Sequence, residues 1–178
     1  ARAAYGVAAR VLAELAAEPP PHWLDATPAE ALADMTRLTF DDMPEHGDLG
    51  RALRDGLAEA LSALPRDGVV SLRDVHADNL IWRRDRTGRV RVGLLDFQDA
   101  LILPDGYDLA SLVDDPRRVV PEAWRADLVA GYAAARAIPL AEMALRIDLL
   151  SVVRNVRILG IFRRLAVRRD PAYARFLP

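Results

Sequence analysis

The sequence predicts an α+β fold in which helix dominates. Three observations carry that expectation. The chain opens with apolar residues at helical spacing, changes to short β-branched runs between residues 68 and 95, and returns to helical spacing from about 106 to 169. With 178 residues and 52% apolar side chains, it has the material for one domain, or for one lobe of something larger.

Residues 2–18 place Ala4, Ala8, Val11, Leu12 and Leu15 on one helical face, and Pro19-Pro20-Pro21 stops that helix. Thr27-Pro28-Ala29-Glu30 reads as a capping box with proline at the first helical position. It opens a second helix to about Met43, with Ala31, Leu32, Met35 and Leu38 inward. A third helix over 48–64 carries Leu49, Ala52, Leu53, Leu57, Ala60, Leu61 and Leu64 and ends at Pro65. Residues 68–72, 80–84 and 90–95 read as short strands. Asp85-Arg86-Thr87-Gly88 supplies turn chemistry between the last two, which predicts a hairpin. Beyond Asp105-Gly106 the spacing predicts helices over 106–114, 121–136 and 139–169, with Gly160 as a candidate break. The chain thus divides into a helical segment 1–66, a loop and hairpin segment 67–104, and helices over 105–178. Trp23, Trp82 and Trp124 are expected in the core. Asp41-Asp42 and Asp114-Asp115 are expected as surface charge at helix ends. Arg154, Arg157, Arg163, Arg164, Arg168 and Arg169 are expected to cover the solvent face of the last helix.

Composition excludes several chemistries. All 24 basic side chains other than histidine are arginine, so lysine is absent, and cysteine is absent too. Disulfides, thiol nucleophiles, Schiff-base catalysis and a lysine-bearing phosphate loop are therefore unavailable within these residues. Four serines, none in a G-x-S-x-G setting, and three scattered histidines supply neither a hydrolase elbow nor a zinc spacing. Residues 1–116 hold 12 arginines against 21 acids, a net of −9, whereas residues 117–178 hold 12 against 5, a net of +7. The overall net charge of −2 argues against a nucleic-acid partner. The longest uncharged run, residues 128–135, is far short of the roughly 20 residues of a membrane helix. No basic-then-apolar leader opens the chain, so a cytoplasmic location without membrane association is expected.

The chemistry concentrates in Arg73-Asp74-Val75-His76-Ala77-Asp78-Asn79, with Asp96 seventeen residues further on. Phosphoryl transfer needs a carboxylate to take the proton of the attacking hydroxyl, and an amide oxygen and second carboxylate to hold Mg²⁺. A turn centred between Thr87 and Gly88 sets positions 79 and 96 opposite each other. Directly opposed residues have Cβ atoms roughly 4.5–5.5 Å apart, within reach of one ion.

The segment Leu72-Arg73-Asp74-Val75-His76-Ala77-Asp78-Asn79-Leu80 resembles the catalytic loop of the aminoglycoside phosphotransferase and choline kinase family, relatives of the protein kinases. Leu94-Leu95-Asp96-Phe97-Gln98-Asp99 resembles that family's metal-binding segment, and Gly106-Tyr107-Asp108-Leu109-Ala110 its following Asp-Leu-Ala element. Asp96-Phe97-Gln98-Asp99-Ala100 and Arg154-Asn155-Val156-Arg157-Ile158-Leu159-Gly160-Ile161-Phe162 are similar to the bacterial kinases of N-acetylmuramate and N-acetylglucosamine, which act on the anomeric hydroxyl.

The resemblance implies an ATP-dependent, Mg²⁺-using phosphotransferase with Asp74 as catalytic base and Asn79 and Asp96 as metal ligands. It implies that Arg73 and Asp108 support the catalytic loop, and His76 and Asp78 lie where they could face the sugar. Acceptors of the aminoglycoside or choline type, and a non-catalytic pseudokinase or helical binding module, are the alternatives. The family usually carries histidine where this chain has Leu72, which bears on how the loop is buttressed. No G-x-G-x-x-G occurs among the ten glycines and no strand lysine is present. The expectation is thus the helical C-terminal lobe of a protein-kinase-like enzyme with a small catalytic hairpin. The nucleotide-covering N-terminal lobe is expected upstream of Ala1, and this chain alone is expected to be inactive.

Overall fold

Apolar residues recurring from Val7 to Ala16 wind the opening stretch into helix α1 (Arg2–Ala17), whose buried stripe is Val7, Ala8, Ala9, Leu12, Ala13 and Ala16. A computed structural model describes residues 1–65 and 67–177. Two compact units alternate along the chain: Ala1–Ala26 with Arg66–Asp148, and Thr27–Pro65 with Leu149–Pro178.

In the first unit, β1 (Val69–Ser71) pairs antiparallel with β4 (Leu101–Leu103), Val70 opposite Ile102. The strand at 101–103 is absent from the sequence expectation; a three-residue run with a partner 32 positions away leaves no local signal. Ala26 adds a parallel bridge to Ile102. β2 (Leu80–Trp82) pairs antiparallel with β3 (Val92–Leu94) as the hairpin expected, but in a different register. Leu80 lies opposite Leu94, so Asn79 faces Leu95 rather than Asp96. The cause is local: Gly88–Arg91 forms a three-ten turn with Gly88 at φ 59°, which delays the strand to Val92. Arg91 then lies over the Trp82 ring at 4.4 Å.

Helix α5 (Tyr107–Val113) is buried at every position, the polar Asp108 and Ser111 included. It starts from Gly106 at φ 106°, a conformation that L side chains rarely adopt. Helix α6 (Glu122–Ala135) packs beside α1 through Leu128, Val129 and Tyr132. Between α5 and α6, Asp114 takes two bonds from Arg125 at 2.9 and 3.0 Å. Asp115 is buried rather than at the surface. Asp105 is buried as well, between Tyr132 Oη and Arg136 Nε, each donating at 2.8 Å. Burial and then the Asp105 charge push the Tyr132 phenol far up, so it remains a donor.

The second unit revises the second expected helix. The stretch is split into α2 (Ala29–Asp34) and α3 (Arg37–Phe40), followed by a three-ten turn at Pro44–His46. No side chain caps the start of α2. The split falls at Thr36, whose buried hydroxyl donates to the Ala33 carbonyl at 2.7 Å and competes with helix continuation. Helix α4 (Gly47–Ser62) buries Gly50, Leu57 and Leu61 while Leu49 is exposed, so its inward face is rotated from the one expected.

Helix α7 (Leu140–Arg168) runs unbroken through Gly160. A Cβ at that position would lie 2.7 Å from the Leu38 carbonyl carbon and the Thr39 nitrogen, so glycine serves close approach to α3 rather than a break. Arg154, expected on the solvent face, is 1% exposed. Arg164 pairs with Asp41 at 3.1 Å and Asp42 at 3.3 Å. Trp23 is 72% exposed and outside any core. No single helix among the described residues is long and apolar enough to cross a membrane.

Candidate active site

The first unit holds the candidate site, and Asp108 organises it. Standing in the first turn of α5, Asp108 accepts from Ser71 Oγ at 2.6 Å, Leu72 N at 2.8 Å and Arg73 N at 3.0 Å. Ser71 Oγ accepts a further bond from Arg73 N at 3.1 Å. The loop leaving β1 is thereby pinned by its backbone, with Leu72 buried as an apolar side chain. Arg73 sits at φ 72°, a conformation that costs a non-glycine residue about 1–3 kcal/mol and persists only when its surroundings over-determine it. Its side chain extends towards Asp99, with Nη1 4.0 Å from Oδ2.

That pinned turn projects Asp74. Its side chain is 44% exposed, with His76 Nε2 3.6 Å from Oδ2 and Arg117 Nη2 3.8 Å from Oδ1. His76 is buried. Its Nδ1 accepts from Asp78 N at 3.3 Å, which assigns the proton of the neutral ring to Nε2, facing Asp74. His76 is thus turned into the loop, and Asp78 is exposed and paired with Arg118.

A three-ten turn at Ala77–Asn79 brings Asn79 back beneath Asp74, where Nδ2 donates to the Asp74 carbonyl at 2.9 Å. The same nitrogen lies 3.4 Å from Asp96 Oδ2. Asn79 and Asp96 therefore meet although the hairpin register is one residue off the expected one. Asp96 takes φ 61°, and this left-handed turn at the strand end carries its side chain to Asn79. Gln98 Nε2 donates to Asp96 Oδ1 at 2.5 Å. Exposed Leu95 and Phe97 flank it.

Among the described residues no group of three or more His, Asp or Glu side chains is set to hold a metal on its own. The donors at Asn79 and Asp96 fit a different arrangement. The amide nitrogen of Asn79 is committed to the loop, so its oxygen and the Asp96 carboxylate are the hard ligands offered. Mg²⁺ is commonly held by one or two such protein oxygens, with phosphates and water completing its octahedron.

Five contributors escaped the sequence analysis: Ser71, Asp115, Arg117, Arg118 and Tyr5. Ser71 is a strand residue with no motif of its own. Asp115 fixes Arg117 through Nε at 2.8 Å, and Arg118 reaches Asp78 across forty residues. Tyr5 of α1 shares that neighbourhood: burial pushes its phenol up, Arg118 opposes the shift, and Asp115 and Asp78 add to it. Long-range pairs of this kind carry no signal in local spacing.

The model of a family described as "Phosphotransferase enzyme family" matches residues 1–145. An N-acetylmuramate/N-acetylglucosamine kinase of Caulobacter vibrioides is 43% identical over 108 residues, covering 60% of this chain and 30% of that protein. A protein of the same name from Neisseria meningitidis serogroup B is 39% identical over 121 residues, covering 64% of this chain and 34% of its own. The chain spans about a third of the length of the curated relatives it matches.

Proposed function

The chain belongs to the phosphotransferase enzyme family, and from that premise we propose that it is the acceptor-binding, catalytic lobe of an ATP-dependent amino-sugar kinase. Its acceptors are N-acetylmuramate and N-acetylglucosamine, phosphorylated at the anomeric hydroxyl. The observation that carries this is the convergence of an accessible Asp74 carboxylate with Asn79 and Asp96, the latter two 3.4 Å apart, on a loop pinned by Asp108.

Asp74 receives a hydrogen bond from the acceptor hydroxyl and takes its proton as the oxygen attacks the γ-phosphorus in line. The bond from phosphorus to the β–γ bridging oxygen breaks, leaving ADP and the sugar phosphate. His76 Nε2 and Arg117 Nη2 flank the carboxylate at 3.6 and 3.8 Å, placing donors on either side of it. Asn79 ties the metal-binding corner to the base, because one amide donates to the Asp74 carbonyl and borders Asp96. Mg²⁺ bound by Asn79 and Asp96 would supply charge neutralisation at the transferring phosphoryl group. No lysine among these 178 residues is available to grip the ATP phosphates. Exposed Phe97 and Leu95 beside Asp96 leave an apolar border where a nucleotide-covering part of a longer protein would close.

The test is an acceptor panel with labelled ATP and Mg²⁺, run on the full-length protein. N-acetylmuramate and N-acetylglucosamine are expected to yield acid-labile 1-phosphates, with an aminoglycoside and choline at least tenfold poorer in kcat/KM. Preferential labelling of the aminoglycoside or choline would replace the acceptor assignment. Sugar binding without label transfer would mark a non-catalytic module.

A further inference from the structure

Two adjacent arginines meet the carboxylates of the catalytic loop, and they are held in opposite ways. Arg117 is anchored, with its backbone N and its Nε on Asp115 Oδ1 at 3.2 and 2.8 Å. Asp115 itself is buried. From that anchorage its Nη2 stands 3.8 Å from Asp74. Arg118 shares the backbone anchor, donating from N to the Asp115 carbonyl at 3.0 Å. Its guanidinium, however, is 53% exposed and rests on Asp78, which is 55% exposed.

An exposed ion pair of that kind adds little to stability, so Arg118 can change carboxylate partners at little cost. Its planar fork of five N–H donors matches a carboxylate in two-point geometry and retains donors for a second acceptor. The surroundings give such an exchange a purpose. Asp74, Asp78, Asp96 and Asp99 all have partly or fully exposed side chains along this loop and the segment after β3. An acceptor bearing a carboxylate meets a repulsive mouth there unless a cation receives it, and of the two arginines only Arg118 is open enough to do so. N-acetylmuramate differs from N-acetylglucosamine by a lactyl ether that ends in a carboxylate.

We propose that Arg118 is the specificity-determining residue for acidic acceptors, exchanging Asp78 for the acceptor's carboxylate while Arg117 stays fixed on Asp115 and Asp74. The proposal rests on the amino-sugar kinase assignment made above.

The experiment measures kcat/KM of the full-length enzyme for three acceptors: N-acetylmuramate, its lactyl carboxamide and N-acetylglucosamine. Wild type is expected to prefer the acid over the carboxamide by about tenfold or more, the scale of a hydrogen bond to a charged group. That preference should be carried by KM and shrink as salt rises. Arg118→Gln is expected to collapse the acid-to-carboxamide ratio to within about threefold, and Arg118→Lys to recover part of it. Asp78→Asn, which removes the competing carboxylate, is expected to widen the ratio. An acid-to-carboxamide ratio near one in wild type, or one that survives Arg118→Gln, overturns the assignment of Arg118 while N-acetylglucosamine turnover leaves the kinase assignment standing. No turnover of any of the three by wild type overturns the kinase assignment itself, and this proposal with it.

Discussion

Asp74→Asn is expected to lower turnover of the full-length enzyme by about 10²–10⁴-fold, the usual contribution of a positioned general base. Asparagine keeps the size and polarity of the side chain and leaves the backbone bonds of the loop in place, including Asp74 N to the Leu72 carbonyl at 2.9 Å and the Asp74 carbonyl to Asn79. What it removes is the carboxylate oxygen proposed to take the acceptor's proton, and the charge facing His76 and Arg117. The effect should therefore fall on kcat, with sugar KM changed by no more than about threefold, because a group used only as the hydroxyl reacts adds little to ground-state binding. Steady-state kinetics on the purified variant check this. Near-normal kcat would put the base elsewhere.

Asp108→Ala is expected to be the most damaging substitution to the fold of the loop. It leaves Ser71 Oγ and Leu72 N, both buried, without the carboxylate that receives them, at a penalty of about 1–3 kcal/mol for each donor left unsatisfied, and leaves Arg73 N with Ser71 Oγ alone. The strained φ of Arg73 is held by two of those bonds, so their loss also releases the turn that aims Asp74. Chemical denaturation is expected to show a loss on the order of 3 kcal/mol, and kcat should fall because the base is no longer presented. A variant of wild-type stability would mean that Asp108 does not brace the loop. Asp74→Asn, which leaves this brace intact, should retain wild-type stability, and that contrast separates support from chemistry.

Hydrophobic period was enough to place α1, α4, α6 and α7 within a residue or two, because each presents a long stripe to a core, while the short, fully buried α5 follows directly on the Asp105-Gly106 turn signal. It did not resolve the α2–α3 break, where a single threonine hydroxyl diverts the backbone. The hairpin was legible from its turn residues, whereas its register was not. Gly88–Arg91 adopts a three-ten turn that local propensity does not distinguish from a strand start. Asp74, Asn79 and Asp96 were legible as candidates because their types and spacing carry the chemistry. The meeting of Asn79 with Asp96 nevertheless depends on a left-handed Asp96 that no spacing announces. Arg154 and Asp115 were misjudged as solvent-facing because charge alone argues for the surface; burial of each is visible only once the fold is. Arg117 and Arg118 lay in a charge-rich stretch whose partners on the catalytic loop are about forty residues away.

The central claim is that Asp74 moves the proton while Asn79 and Asp96 hold the metal, and a Mg²⁺ titration of phosphoryl transfer tests it most directly. Wild type, Asp74→Asn and Asp96→Asn are compared in the full-length enzyme with N-acetylglucosamine and ATP. Asp74→Asn should lower the plateau rate and keep the wild-type Mg²⁺ midpoint. Asp96→Asn should move the midpoint up by about tenfold or more, as expected when one of two protein ligands loses its charge. Transfer that proceeds without Mg²⁺, or an Asp96→Asn midpoint equal to that of wild type, would contradict this division of labour.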